Sequence, residues 1–167
     1  MGFSDEDIQK PVIGICNTWS ELNNCNAHLR TLAEAVKRGV WQAGGFPLEF
    51  PTISLGEVFI SPTTMLFRNL MAMDTEEMIT CHPIDGVVLL CGCDKTPPAQ
   101  LMGAASANIP SIMVTGGPMF NGRYRGEMLG ASTDCRRLAT ELRTGTISEE
   151  TYCEIEDAIC RSAGHCM

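Results

Sequence analysis

The run "DGVVLLCG" (85–92) constrains the fold more than any other stretch of the chain, because its valines and leucines follow one another without alternation. A strand that is apolar on both sides must be covered on both faces, which is the condition of a parallel sheet flanked by helices. "PVIGIC" (11–16), the proline-marked "FPLEFPTIS" (46–54) and "IPSIMVTGGP" (109–118) supply three more extended segments. Helical patterns lie between them. Leu29, Leu32, Ala33, Val36 and Val40 recur at helical spacing and stop at Gly44 and Gly45, predicting a helix over 26–42. A helical stretch over 63–73 follows, then a short helix to Cys81 that Asp74 and Glu77 open as a capping box. Pro97 and Pro98 suit the first turn of a helix reaching Ala107. The fold class is therefore α/β, a mostly parallel sheet with helices on both faces, in a single domain over 1–167.

Beyond the fourth strand, "MFNGRYRGEMLG" reads as loop. Two helices, 133–143 and 148–162, close the chain, the second begun by Ser148 and capped by Gly164. A chain that stops at "SAGHCM", just past a helix, is expected to be a fragment.

Twenty acidic against twelve basic residues give a net charge of -8 without a basic stripe, which argues against nucleic acid or an anionic membrane as partner and for a small molecule. No apolar run is long enough to span a bilayer. "MGFSDEDIQKPVIG" lacks the cationic start and apolar stretch of a secretory signal, so a cytoplasmic location is expected. Nine cysteines are an odd number in a chain too large and apolar to need stapling, which favours reduced thiols, some of them metal ligands.

Each strand is followed by something polar: "NTWSELNNCN", "LGE", "CGCDK" and "TGGP". Open parallel sheets bind ligands at that edge, so Cys25, Glu57, Cys93, Asp94 and Lys95 are expected to converge. Thiolates suit iron–sulfur clusters, zinc or copper, and carboxylates suit hard ions such as magnesium. Spacing alone leaves plainer readings open: buried thiols, a solvated Glu57, Asp94 as a helix cap, Lys95 as a surface cation. Cys91 reads as core packing, as do Cys153 and Cys160, seven apart on one helix. Cys16, Cys81 and Cys135 read as interior or surface thiols. His28 and His82 carry no assigned role, and His165 either supports Cys166 or bonds the backbone. Gly116 and Gly117 make a tight turn or an anion seat, and Arg123, Tyr124 and Arg125 a solvated loop or a carboxylate contact.

"CDKTPPAQLMG" (93–103) resembles the signature of the dihydroxy-acid and aldonic-acid dehydratases. "NNCNAHLRTLAEAVKRGVWQAGGFPLEFPTISLGE" resembles that family's first cysteine segment and "SAGHCM" its third, so the resemblance runs from Lys10 onward in family order. It implies that Cys25, Cys93 and Cys166 ligate an iron–sulfur cluster, 2Fe–2S ahead of 4Fe–4S. It also implies that Glu57 and Asp94 bind Mg2+ and that Lys95 is carbamylated as a third magnesium ligand. Three thiolates on a cluster leave one iron open, and a carbamate offers oxygen to a hard cation where an ammonium would repel it. The implied activity is that of a hydro-lyase converting a 2,3-dihydroxy carboxylate to a 2-keto-3-deoxy acid. "SLGE" and "SAGHCM" look closer to pentonate dehydratases such as the L-arabinonate or D-xylonate enzymes. The alternatives are a dihydroxy-acid dehydratase of branched-chain amino-acid biosynthesis, or a non-catalytic metal or redox module built on Cys91, Cys93 and Cys166. Members of the family carry a further β-rich domain with the serine base and are homo-oligomers, dimers or tetramers. On that resemblance this chain is the amino-terminal metal-ligand part and is expected to be inactive alone.

Overall fold

The computed structural model describes every residue except Met1, Glu57, Val58, Asp94, Cys160, Arg161, Cys166 and Met167. The chain divides into two compact units, Met1–Gly116 and Gly117–Met167.

The first unit runs α1 (Asp5–Ile8), β1 (Val12–Asn17), α2 (Leu29–Gln42), β2 (Phe46–Pro51), α3 (Arg68–Thr80), β3 (Gly86–Cys91), α4 (Thr96–Ala107) and β4 (Ser111–Thr115). Its strands form one sheet in the order β2-β1-β3-β4, with every neighbouring pair parallel. All six residues of β3 are buried, as its unbroken apolar run requires. On one face Cys16, Val87 and Leu89 pack with Ile79 of α3 and Ala104 of α4; on the other Ile15, Val88 and Leu90 pack with Ala33 of α2. The strands thus alternate their side chains between two helical layers. Among the described residues no helix is long and apolar enough to cross a membrane.

The outer edge of β2 has few donors. The amides of Phe46 and Thr52 donate to Pro11 and Asn17, so even-numbered residues turn their backbone toward β1. By alternation Pro47, Glu49 and Pro51 turn theirs away, and the two prolines have no N–H to offer.

Two expectations for this unit are corrected. The helix expected from residue 26 begins at Leu29, because Asn24–Asn26 form a 3₁₀ turn. The two helices expected over 63–81 are one, α3, preceded by a 3₁₀ turn at Thr64–Phe67. Asp74 caps nothing; its carboxylate accepts the Ile53 N–H at 2.8 Å and anchors the segment after β2.

At the amino terminus Ser4 and Asp7 form a capping box for α1, and the Lys10 ammonium lies 2.7 Å from Asp7. The hydrogen bond from Lys10, then those from Ser4, hold the Asp7 carboxyl down to about 2. A lowered carboxyl contributes stability above its unfolded value of about 3.9 and loses it as pH falls through the folded value. The advantage of the wild type over Asp7→Asn is therefore expected to be constant at neutral pH and to shrink between about pH 4 and pH 2. Melting temperatures of the two proteins across that range check this; a gap that persists unchanged at the acid end contradicts it.

The second unit contains β5 (Gly122–Tyr124), β6 (Glu127–Leu129), α5 (Thr133–Arg143) and α6 (Glu149–Ile159), packed on Leu129, Leu138, Ile155 and Ile159. The stretch expected to be loop holds the antiparallel β5–β6 hairpin, with Arg125 and Gly126 both at positive φ in a two-residue turn. Ser148 accepts the Thr151 N–H as a cap should. The described part of α6 runs to Ile159 and Ser162 is not helical, so the helix does not continue through 162 to be capped by Gly164. Instead the His165 N–H donates to Gly117 and its carbonyl accepts from Met119, laying that segment along Pro118. Cys153 is exposed, against the expectation of core packing, and Cys160 lies outside the described residues.

Candidate metal centre

The strand order reverses between β1 and β3: from β1 the chain proceeds outward to β2, and from β3 outward to β4. Loops leaving such a pair diverge, and the crevice between them at the carboxyl ends of the strands is where this architecture receives ligands. Cys25 lies on the loop after β1 and Cys93 directly after β3.

One side chain joins these loops. Asn26 is completely buried; its Nδ2 donates to the Thr18 carbonyl at 2.9 Å, to Thr18 Oγ1 at 3.2 Å and to Ser54 Oγ at 3.0 Å. Its Oδ1 accepts the Cys93 N–H at 3.2 Å. The loops after β1, β2 and β3 thus converge on one carboxamide whose hydrogen-bonding groups are all used, as a buried amide requires. Asn23 adds bonds to Ser54 and to the Leu55 carbonyl. Gly92 makes the junction possible: a Cβ there would overlap Asn26 Oδ1 and lie 2.8 Å from Asn26 Cγ and 3.2 Å from the Cys25 carbonyl oxygen. From the other side, Gln100 of α4 donates through Nε2 to the carbonyls of Cys16 and Leu90, at 3.2 and 3.3 Å, tying the ends of β1 and β3.

Cys93 is also held through its carbonyl, which accepts from the Thr96 N–H and the Thr96 hydroxyl. Lys95 stands at the N-cap of α4 and is half-buried, and Cys25 is buried. The structure therefore brings together the segments of Cys25, Cys93 and Lys95, along with Ser54–Gly56 before residue 57. Glu57, Asp94 and Cys166 lie outside the described residues. Among the described residues no three His, Cys, Asp or Glu side chains gather as a metal site. The donors that are described, the thiols of Cys25 and of Cys93, the latter on backbone fixed by Asn26 and Thr96, have the soft chemistry that an iron–sulfur cluster or zinc requires.

Cys16 and Cys91 differ from that pair. Both are fully buried in the sheet, and burial pushes each thiol up to about 12, so they remain protonated core groups. The expectation of core packing for Cys91 holds, since it is fully buried within β3. Sequence reasoning missed Asn26, Gly92, Gln100 and His28. The polar cluster "NNCNAH" was the one visible hint, since several amides beside a cysteine need partners if buried.

The family described as dihydroxy-acid/6-phosphogluconate dehydratase N-terminal matches residues 10–167. The chain belongs to this dehydratase family. It is 54% identical over 162 residues to a 6-deoxy-6-sulfo-D-gluconate dehydratase of Pseudomonas putida, covering 97% of this chain and 28% of that protein. To an L-arabinonate dehydratase of Rhizobium leguminosarum it is 53% identical over 157 residues, covering 94% and 27% respectively. A dihydroxy-acid dehydratase of Methanobrevibacter smithii is 41% identical over 170 residues, covering 99% and 31%. The chain thus spans less than a third of the length of these dehydratase relatives.

Proposed function

We propose that the protein carrying this chain is a hydro-lyase that dehydrates an aldonate, such as L-arabinonate or D-xylonate, to a 2-keto-3-deoxy acid, and that this chain supplies its metal-binding wall. The observation that carries the reading is the convergence of the loops after β1, β2 and β3 on Asn26, at the crevice where the strand order reverses. Among sugar acids L-arabinonate is favoured, because relatives named for L-arabinonate and 6-deoxy-6-sulfo-D-gluconate are 53–54% identical, against 41% for the dihydroxy-acid enzyme and 40% for one named for D-xylonate.

Cys25, Cys93 and Cys166 would hold an iron–sulfur cluster, of the 2Fe–2S kind, and Glu57, Asp94 and carbamylated Lys95 would hold Mg2+. When bound, these groups supply Lewis acidity to a departing hydroxyl and to the charge that develops beside the carboxylate. Asn26 and Thr96 fix the backbone of Cys93 from both sides, so its thiol is oriented before anything binds. Among the described residues, the first amides of α4 itself are spent: those of Thr96 and Ala99 donate to Cys93 and Lys95, and Pro97 and Pro98 have none. A substrate carboxylate at this edge therefore needs a cation or a side chain to receive it, in contrast to helix ends that cradle anions through their amides.

The test is iron, sulfide and zinc analysis of anaerobically purified protein beside Cys25→Ser and Cys93→Ser. Iron and sulfide together in the wild type, reduced about tenfold or more in either variant, support the reading. Zinc without sulfide would point to a non-catalytic module, and equal iron in wild type and Cys93→Ser would remove Cys93 from the site. Turnover of L-arabinonate against a branched 2,3-dihydroxy acid by the whole protein decides the substrate class.

A further inference from the structure

We propose that His28 is a positioning residue of this centre, an imidazole latch that fixes the Cys25 turn to the end of β4; the proposal rests on the reading of Cys25 as a cluster ligand. His28 follows Cys25 by three residues, and its carbonyl accepts from Thr31 and Leu32, so its backbone is part of the first turn of α2. Its ring reaches across the crevice to a residue 88 positions away: Nε2 lies 2.7 Å from the Gly116 carbonyl oxygen. A carbonyl can only accept, so Nε2 carries the hydrogen. Nδ1 is enclosed and has no hydrogen-bond partner among the described residues, where the ring's one bond is donation through Nε2.

Gly116 is shaped for that ring. A Cβ at position 116 would lie 2.5 Å from Nε2 and 2.7 Å from Cε1 of His28, closer than side-chain atoms approach. The Gly116 N–H in turn donates to the Cys91 carbonyl at 2.9 Å. The same glycine peptide is thus gripped by β3 through its amide and by the Cys25 turn through its carbonyl. Asn26 holds the turn on the residue after Cys25, and His28 holds it two residues further on. With both ties in place Cys25 cannot swing away from Cys93; with Asn26 alone the turn can pivot.

The experiment compares the wild type with His28→Gln, His28→Phe, Gly116→Ala and Cys25→Ser in the whole protein, prepared anaerobically. Bound iron, visible absorption and the rate of colour loss to a chelator are read for each, with far-UV circular dichroism as the measure of folding. Gln places an amide donor where Nε2 sits, whereas Phe keeps the ring and lacks the donor. The latch predicts that Gln retains iron near the wild-type level, while Phe and Gly116→Ala, although folded, hold iron about tenfold more weakly. Phe that keeps iron as the wild type does, beside Cys25→Ser that loses it, overturns the latch and leaves the ligand reading intact. Cys25→Ser that keeps its iron overturns the ligand reading and the latch with it. Imidazole nitrogen NMR of the wild type gives a measure that needs no variant: a slowly exchanging proton on Nε2 is expected, and an Nε2 that carries no proton overturns the latch.

Discussion

On the proposed reading of Cys25 and Cys93 as cluster ligands, alanine at position 92 is expected to strip the protein of iron and to lower its stability by about 3 kcal/mol or more. The added methyl group would occupy the place of Asn26 Oδ1, so the carboxamide must leave. Its departure orphans the Cys93 N–H and removes the bonds to the Thr18 carbonyl and to Ser54. Relaxation is not available on either side, because Asn26 is wholly enclosed and the next contact is the Cys25 backbone. Overpacking of a tight core costs about 1–3 kcal/mol, and each buried polar group left unpaired adds roughly 1–3 kcal/mol. Urea denaturation and iron analysis of Gly92→Ala check both parts; a variant that keeps its iron and its midpoint would show that the junction gives way without consequence.

The counterpart is Leu89→Ala, which should lower stability by about 3 kcal/mol and the melting temperature by roughly 10 °C without emptying the site. Leu89 is fully buried and packs with Cys16, Ile79, Val87 and Ala104 between the sheet and the α3–α4 layer. Removing its branched end leaves a cavity whose walls come from two strands and two helices, an arrangement that collapses poorly. Leu89 precedes the crevice by three residues and takes no part in the Asn26 junction, so iron per folded chain should match the wild type. Paired with Gly92→Ala, the comparison separates loss of fold from loss of site; iron lost in proportion to stability in both would merge them.

Most of the first unit was legible because its signals are local. The unbroken apolar run of β3 and the spacing of Leu29, Leu32, Ala33 and Val36 each demand one element over one stretch of chain. Where a local signal had two uses, the reading failed. Asp74 and Glu77 have the spacing of a capping box, yet Asp74 spends its carboxylate on Ile53, 21 residues away, and α3 passes through it. The β5–β6 turn places arginine where asparagine or aspartate would have announced positive φ, and its strands are three residues long, too short for alternation to show. The site divides the same way. Cys25 and Cys93 are proposed from the pattern of residues around them, whereas Asn26, His28 and Gly116 make contacts 67 and 88 residues apart, which no window along the chain contains.

The prolines on the outer flank of β2 give the sheet a direction of growth. An incoming strand would meet only one amide, that of Glu49, between Pro47 and Pro51, too sparse a ladder for stable pairing. The opposite margin, β4, carries no such block: Ser111–Thr115 is free of proline and its Ile112 side chain is exposed. Any enlargement of this sheet by another segment or another molecule must therefore begin beside β4 and leave β2 as the terminus.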